Sequence, residues 1–340
     1  MLPTHTLSLF QHAVEEAAAL LRAGEVVAVP TETVYGLAAN ALNAEAVESI
    51  FRVKGRPSLN PIIVHVVGTD MAQDCAERWP EMAERLAKAF WPGPLTMVLP
   101  RSAGIPGIVT AGGETVGIRW PSHPFVQALI LACGFPLAAP SANLSNRVSP
   151  TRADHVEVQL GRLIPLIIDG GPCQVGIEST VLDVSVHPPR LLRPGMIHDQ
   201  ALLAVTLELG IGPGKAPGIL RSPGQLAKHY SPEATLEIWS WEDEEQLRRR
   251  CSQSRVALNK IHIVAHTLVP SGEGFGRVSV IPHDPEAFAR ALYAELHACD
   301  EAGAMLIIME ALPGTSEWHA LADRLNRASV AQPPPISGSP

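Results

Sequence analysis

Hydrophobic and polar positions along the first 66 residues predict a close alternation of helices and strands. Residues 13–23 are rich in Ala, Leu and Glu and predict a helix that ends at a glycine. A β-branched run at residues 25–29 and an apolar run at 62–66 predict two strands. Residues 44–53 predict a short helix between them. A strand, a polar turn, a helix and a second strand therefore follow one another in one unit.

Hydrophobic patterns typical of helices and of strands both continue through the first 200 residues. Some of the predicted strands are separated by helices and others by hairpin-like turns, which favours a mixed, twisted α/β sheet. Helical patterns cover residues 70–91, with an interruption at Pro80, and 124–133. Strands are predicted at 95–99, 115–120, 137–139, 166–168 and 179–184, and residues 191–195 end the first domain.

A linker and a second, smaller domain are predicted after residue 200. The linker covers residues 201–232, and its part from 211 onward contains four Gly and four Pro. Residues 233–330 predict a Rossmann-like α/β domain without a G-x-G-x-x-G loop, so we expect no nucleotide site within it. Residues 331–340 predict a disordered tail. Strand patterns at 236–239, 261–264, 278–281 and 305–309 alternate with helical patterns at 242–250, 285–302 and 316–328.

Composition and charge narrow the class of protein. Hydrophobic residues make up 46% of the chain and charged residues 18%, which is typical of a packed globular protein. The net charge of −8 argues against a protein that binds nucleic acid through its overall charge. No apolar run approaches the length that spans a bilayer, and five scattered cysteines without a C-x-x-C pair suit a reducing compartment. We therefore expect a cytoplasmic protein without a membrane partner or a structural metal site.

The loop at residues 54–61 concentrates cationic and amide side chains. Lys54 and Arg56 flank a glycine, and two prolines restrict the exit of the loop. In the simpler alternative, the two cations only complement the negative end of the preceding helix. A cluster of polar residues beside the predicted strands favours a bound anion, because polar groups next to a core need partners. The cluster contains Thr31, Glu32, Thr33, Tyr35, Ser58, Asn60 and His65.

Five blocks of this sequence resemble those of the YrdC-like family, in the same order. They are Pro30–Leu37, Lys54–Pro57 with Asn60-Pro61, Ile118–Pro121, Ala139–Ser145 and Glu178–Val181. With its C-terminal region, the chain resembles the long, two-domain threonylcarbamoyl-AMP synthases of that family. The resemblance implies a YrdC-like domain at residues 1–200. It also implies an enzyme, a nucleotidyltransferase, that uses ATP with Mg²⁺, bicarbonate and L-threonine to form threonylcarbamoyl-AMP and pyrophosphate for tRNA modification.

The resemblance also implies which residues bind each substrate. Arg119 is expected to pair with the amino-acid carboxylate through two hydrogen bonds. His65 has an alternative interpretation as an ordinary strand histidine. Lys54 and Asn143 are expected near the phosphates, and neither a general base nor a metal ligand is assigned. The L-threonine set is Thr33, His65, Arg119, Ala139 and Ser179, and the ATP set is Arg56, Asn60, Thr115, Ser141, Ser149, Arg193 and Tyr230.

The linker departs from the family pattern and leads to a hypothesis. Its residues Gln225–Tyr230 are Gln-Leu-Ala-Lys-His-Tyr, whereas the family commonly has a more basic and aromatic run before its His-Tyr pair. A Pro- and Gly-rich strap that carries His229 and Tyr230 could close over the ATP site and shield a labile carbamate from water. The sequence thus predicts that the linker docks on the active site.

Two other functions are compatible with parts of the pattern. A non-enzymatic module that binds double-stranded RNA or tRNA is one alternative, although the acidic charge weighs against a large RNA footprint. A carbamoyltransferase of the hydrogenase-maturation kind is another, but those chains carry zinc-type cysteine pairs and this one has none. We expect a separate tRNA threonylcarbamoyltransferase to receive the product, and direct contact with tRNA is left open.

Overall fold

The structure is a computed structural model, and it describes residues 4–57, 59–212 and 230–329. These residues form two units. The first contains residues up to 145 and 149–212, and the second contains 146–148 and 230–329. Residues 213–229, which form most of the predicted strap, lie outside the described residues, so the hypothesis that the strap covers the ATP site stays a prediction.

The first unit is built on a mixed sheet, as the sequence predicts. Within the described residues, nine strands form it in the order β1-β2-β6-β3-β5-β4-β7-β8-β9, with parallel and antiparallel neighbours. The strands are β1 (Val27–Val29), β2 (Gly36–Asn40), β3 (Val64–His65), β4 (Leu95–Pro100), β5 (Thr115–Arg119), β6 (Leu137–Ala138), β7 (Thr180–Asp183), β8 (Arg190–Arg193) and β9 (Gly210–Ile211). The helices are α1 (Thr4–Arg22), α2 (Ala44–Lys54), α3 (Thr69–Cys75), α4 (Glu81–Phe90), α5 (Pro124–Cys133), α6 (Ala153–Leu160) and α7 (Asp199–Thr206).

Alternation along the central strands sends side chains to two different faces. Val64, Met97 and Ile118 belong to a large apolar cluster on one face of the sheet. Their neighbours His65 and Arg119 point to the opposite face. On that opposite face, a second apolar cluster attaches α1 and α5 to β1, β2 and β6. The polar side chains of the central strands therefore lie beyond the part of the sheet that α1 and α5 cover.

Caps at both ends of α2 place the cationic loop. The Asn43 side chain accepts hydrogen bonds from the backbone N–H groups of Glu45 and Ala46 at the start of the helix. Gly55 ends the helix in the left-handed conformation, with φ of 58°, which a glycine adopts without strain. Lys54 is thus the last helical residue and Arg56 the first residue beyond the turn.

The second unit contains a small parallel sheet, as the sequence predicts. Within residues 230–329, its strands are arranged in the order β10-β13-β11-β12, and all neighbours are parallel. Its elements are β10 (Thr235–Trp239), α8 (Glu244–Gln253), β11 (Ile261–Ala265), β12 (Arg277–Val280), α9 (Pro285–Glu301), β13 (Leu306–Glu310) and α10 (His319–Ala328), with short 3₁₀ turns at Leu258–Lys260 and Ser316–Trp318.

Three local features differ from the sequence-based expectations. Residues 36–40 form β2 instead of a polar turn, because their small side chains allow close pairing with β1 and β6. Residues 166–168 contribute one isolated bridge, Ala28 to Ile167, and no strand of their own. The first part of the predicted linker forms α7 and β9 of the first unit, and Leu202 of α7 is buried in its large apolar cluster. None of the described helices combines the length and apolarity needed to cross a membrane.

Candidate functional site

Arg119 is a buried cation on the polar face of the first sheet. It ends β5 beside His65 of β3, and only 3% of the residue is exposed. Its Nη1 donates to Thr33 Oγ1 at 2.9 Å, and its Nε donates to the carbonyl of Gly93 at 3.3 Å. Its Nη2 forms an ion pair with Glu32 Oε1 at 2.7 Å. The turn after β1 and the turn before β4 thus hold the guanidinium in place.

Ser179 lies in a second group of contacts at the start of β7. Its hydroxyl is 2.7 Å from the hydroxyl of Thr96 on β4. Arg193 of β8 donates to Ser179 twice, from Nε to the carbonyl at 3.0 Å and from Nη2 to Oγ at 3.1 Å. Ala139 directly follows β6 and donates its N–H to the carbonyl of Ile63 at 3.1 Å. The predicted threonine set therefore lies in the turn after β1 and on or beside β6, β3, β5 and β7.

His65 is buried and uncharged at neutral pH. Burial lowers the pKa of His65 to about 3, and the positive charge of Arg119 acts in the same direction. Backbone carbonyls of Ile63 and Leu137 oppose this shift only in part. His65 can therefore donate or accept a hydrogen bond, but it offers no positive charge to a carboxylate.

The predicted phosphate-side cations are tied to neighbouring backbone. Lys54 Nζ donates to the carbonyl of Ser141 at 2.5 Å, to the carbonyl of Asn143 and to Asn143 Oδ1 at 3.3 Å. Burial, followed by the charge of Arg56, lowers the pKa of Lys54 well below its usual value. Arg56 donates to the carbonyl of Asn60 at 3.2 Å and to the carbonyl of Pro61 at 2.9 Å. The structure thus brings Lys54, Arg56, Asn60, Ser141 and Asn143 into linked loops.

The Asn60 amide differs from its neighbours because it is buried without a local partner. Only 2% of the residue is exposed, and its Oδ1 and Nδ2 accept and donate no hydrogen bond among the described residues. Buried amides normally have partners, so this side chain fits a site where a ligand supplies them.

Two other members of the predicted ATP set also belong to the first unit. The buried hydroxyl of Ser149 donates to Glu178 Oε1 at 2.6 Å. Glu178 directly precedes Ser179 in the sequence. Thr115 begins β5, is partly exposed and pairs with Pro100 of β4.

Tyr230 belongs to the second unit. Its ring stacks on Tyr293 with centroids 5.9 Å apart, and the guanidinium of Arg324 lies 5.4 Å from the ring centroid. Only 1% of Tyr230 is exposed, and its φ of 64° is in the left-handed region. The aromatic contacts show that Tyr230 has a structural task in the second unit. Its predicted contact with ATP stays a prediction.

The structure adds three residues that the sequence did not single out as ligands. Glu32 pairs with Arg119, Thr96 contacts Ser179, and Glu178 accepts from Ser149. Glu32 and Glu178 lie inside two of the five sequence blocks, so their positions were available as a signal. Thr96 gave no signal beyond its place in an alternating strand.

The described part of the chain contains neither a group of side chains arranged to bind a metal ion nor an activated thiol. Among those residues, no three His, Cys, Asp or Glu side chains are grouped so as to hold a metal ion. All five cysteines are buried free thiols. Burial raises the pKa of Cys173, the one nearest to Glu32 and Arg119, to about 12. A thiol with that pKa stays protonated and is a poor nucleophile.

Comparison with known proteins identifies similarities over both units. A family model described as Telomere recombination matches residues 19–195. A second, described as Threonylcarbamoyl-AMP synthase, C-terminal domain, matches residues 197–330.

Curated relatives and solved structures extend the similarity over nearly the whole chain. The threonylcarbamoyl-AMP synthase of Pyrococcus abyssi is 40% identical, with 92% of this chain and 93% of that protein covered. The threonylcarbamoyl-AMP synthase of Bacillus subtilis is 41% identical, with 96% and 95% covered. A crystal structure of P. abyssi Sua5 complexed with L-threonine is similar with a TM-score of 0.83 and 38% identity, over 93% of this chain and 94% of that one.

Proposed function

The chain belongs to the threonylcarbamoyl-AMP synthase family, and from this premise we propose that it joins L-threonine, bicarbonate and ATP. The products are threonylcarbamoyl-AMP and pyrophosphate, which makes the enzyme a nucleotidyltransferase. The observation that carries the proposal is the buried Arg119, fixed beside Thr33 and His65, in a chain that is similar over its length to a protein solved with L-threonine. The same similarity favours a synthase over an RNA-binding module.

The threonine half of the site uses the polar face of the sheet. Arg119 has five N–H groups. One on Nη1 donates to Thr33 and the one on Nε donates to Gly93, while Nη2 forms an ion pair with Glu32 without a hydrogen bond of good geometry. One N–H on each terminal nitrogen is left, which suffices for a two-bond pair with a carboxylate. The substrate hydroxyl would meet the side chains of Thr33 and Ser179. Neutral His65 and the backbone of Ala139 would complete the site.

The nucleotide half uses the loops around Lys54. We assign ATP to Arg56, Asn60, Thr115, Ser141, Ser149 and Arg193, with Lys54 and Asn143 on the phosphate side. The buried Asn60 amide supports this assignment, because its donors and acceptor match an adenine edge, a sugar or a phosphate. Mg²⁺ would accompany the phosphates and neutralise their charge. The described residues lack an acidic cluster for it, so the ion would be held mainly by phosphates and water.

The reaction then needs positioning and charge neutralisation more than covalent catalysis. The threonine amine attacks the carbon supplied by bicarbonate, and a C–N bond forms as water leaves. A carbamate oxygen next attacks the α-phosphorus in line, and the bond to pyrophosphate breaks. Fixed cations and amide donors stabilise the charge on the phosphate oxygens. A separate tRNA threonylcarbamoyltransferase would take up the product.

Omission of one substrate at a time tests the proposal. Purified protein is incubated with ATP, Mg²⁺, L-threonine and labelled bicarbonate, and both pyrophosphate and labelled nucleotide product are measured. We expect both products only when all substrates are present. Pyrophosphate release without threonine, or without bicarbonate, would contradict the proposed reaction.

The nucleotide assignment has its own prediction. Arg56→Ala removes a buried cation from the phosphate side and should weaken ATP binding at least tenfold while threonine binding is kept. Calorimetric titration with each ligand checks this. Arg52→Ala, on the exposed side of α2, is the control and should bind ATP as the unaltered protein does. Unchanged ATP affinity in the Arg56 variant would refute the assignment.

A further inference from the structure

Glu32 is a buried carboxylate whose task the proposed function does not yet explain. Its side chain is 4% exposed, and its Oε1 lies 2.7 Å from Arg119 Nη2. Among residues 4–57, 59–212 and 230–329, neither carboxylate oxygen accepts a hydrogen bond of good geometry. A carboxylate has about four acceptor positions. Most of the acceptor capacity of Glu32 is thus unused at the place where Arg119 and Thr33 meet.

The charges around Glu32 sum to zero. Arg119 contributes one positive charge and Glu32 one negative charge. His65 stays neutral because burial lowers its pKa to about 3, and Cys173 stays a neutral thiol because burial raises its pKa to about 12. Burial also lowers the pKa of His123, although nearby Glu32 acts in the opposite direction. The buried ion pair therefore has no third fixed charge among these neighbours.

The zero net charge of the Glu32–Arg119 pair restricts which ligands can bind to Arg119. A ligand that brings only a carboxylate would leave the pocket with a net negative charge away from water, which is costly. A ligand that brings a carboxylate and an ammonium group leaves the sum at zero. An ammonium group has three donors, and Glu32 has the free acceptors.

We infer that Glu32 binds the ammonium group of the amino-acid substrate, so that Glu32 and Arg119 together recognise the two charges of a zwitterion. This role rests on the proposed function and adds a specificity-determining residue to it.

The role of Glu32 also predicts which way the substrate group moves during carboxylation. When the amine reacts with bicarbonate, a C–N bond forms, a C–O bond breaks, and one water and one proton leave. The group beside Glu32 thereby changes from a cation to a carbamate anion. Two negative groups in a buried site repel each other, so the carbamate moves away from Glu32. Arg56, on the phosphate side, is a positive group of the same unit toward which the carbamate can turn.

A comparison of two ligands tests the inference. L-threonine and its hydroxy-acid analogue, in which a hydroxyl replaces the ammonium group, share the carboxylate and the side chain. Titration calorimetry measures the affinity of each for the unaltered enzyme and for Glu32→Gln. We expect the unaltered enzyme to prefer threonine by about ten- to a hundredfold, and the variant to lose most of this preference. Glu32→Asp keeps a carboxylate and should retain part of it.

The design separates the possible failures. Glu25→Gln, at an exposed position just before β1, is the matched control and should keep the full preference. A Glu32→Gln protein that keeps the full preference would overturn the inference. Equal affinities of the unaltered enzyme for both ligands would overturn it too, without any variant. An unaltered enzyme that binds threonine but makes no threonylcarbamoyl-AMP would instead contradict the proposed function.

Discussion

At the scale of single residues, burial decides which groups in the first unit carry charge. His65 lies in β3 and is excluded from water, so its native pKa is about 3, whereas an exposed histidine has a pKa near 6.5. The unfolded chain therefore binds a proton below pH 6.5 that the native protein does not bind. It follows that stability from His65 is complete above pH 6.5 and is lost as the pH falls toward 3.

This linkage predicts a specific pH dependence. Between pH 7 and pH 5, His65 should lower the free energy of unfolding by about 2 kcal/mol, at about 1.4 kcal/mol for each pH unit below 6.5. His65→Gln should lack this part of the decrease. Urea unfolding at the two pH values measures it, and His12→Gln, at an exposed position of α1, serves as the control. Equal losses in the unaltered protein and the His65 variant would contradict the assigned burial.

Lys54 supports the loop after β6 through its carbonyl contacts. Lys54→Met removes hydrogen bonds to the partly buried carbonyl of Ser141 and to the buried carbonyl of Asn143. We expect a loss of about 2 kcal/mol in the free energy of unfolding, because an acceptor that loses its donor while shielded from water keeps its desolvation cost. Lys88→Met, at an exposed site of α4, should change it by less than about 0.5 kcal/mol. Equal losses in both variants would show that the carbonyl contacts contribute nothing.

The sequence anticipated these residues but not their partners. Helical spacing followed by Gly55 and Pro57 was enough to predict that Lys54 and Arg56 end a helix in a loop. Arg56 contacts nearby carbonyls, but the contacts of Lys54 come from Ser141 and Asn143, which lie almost ninety residues further along the chain. A local pattern carries no information about contacts across such a separation. For the same reason, the sequence alone does not distinguish Glu32 from the polar residues around it and does not predict its ion pair with Arg119.

At the scale of elements, close approach of the backbone at Gly195 fixes the start of β7. An added Cβ at Gly195 would lie 2.6 Å from Thr180 Oγ1 and 2.9 Å from the carbonyl carbon of Ser179. Gly195 follows β8, which carries Arg193, so a shift here moves both Arg193 and Ser179. The glycine thus keeps two predicted site residues in register.

Gly195→Ala should therefore lower both stability and substrate affinity. We expect a loss of about 1–3 kcal/mol in the free energy of unfolding, from overpacking, with weaker binding of both threonine and ATP. Thermal unfolding and ligand titration measure the two effects. Gly107→Ala is the control, because a Cβ there meets no atom within 4 Å. A Gly195 variant that binds both ligands normally would show that β7 and β8 adjust without disturbing the site.

Elements with strong local signals were predicted well, and those with weak signals were not. The helix at 124–133 was predicted with the bounds that the structure shows, since apolar periodicity begins at a proline and ends at a glycine. Strand β2 was missed because Gly-Leu-Ala-Ala-Asn lacks β-branched residues and is a strand only through its neighbours β1 and β6. The strand order could not be predicted either, because it depends on pairing between distant segments.

At the scale of the whole molecule, the chain forms two units with separate sheets, and the parallel sheet of the second unit has its own buried charge. Glu310 ends β13, and its carboxylate accepts hydrogen bonds from the backbone N–H groups of His266 at 2.7 Å and Thr267 at 2.9 Å. It also accepts from the Thr267 hydroxyl and from the N–H of Leu268 at 3.3 Å. Burial alone would raise the pKa of Glu310, but these hydrogen bonds outweigh it and lower the pKa. A single carboxylate therefore holds the turn after β11.

Glu310→Gln should weaken the second unit and leave the chemistry of the first unit intact. An amide oxygen is a poorer acceptor than a carboxylate, so we expect about 2 kcal/mol less local stability around β11 and β13. Because the native pKa of Glu310 is lowered, this contribution is present above its unfolded pKa of about 4.3 and is lost as the pH falls below it. Hydrogen exchange read by mass spectrometry should show faster exchange in residues 261–268 and 306–310, and unchanged exchange in β3, β5 and β7. Asp243→Asn, at the exposed start of α8, is the control for an acidic residue of the same unit. Faster exchange in the Glu310 variant throughout both sheets would show that the two units unfold as one.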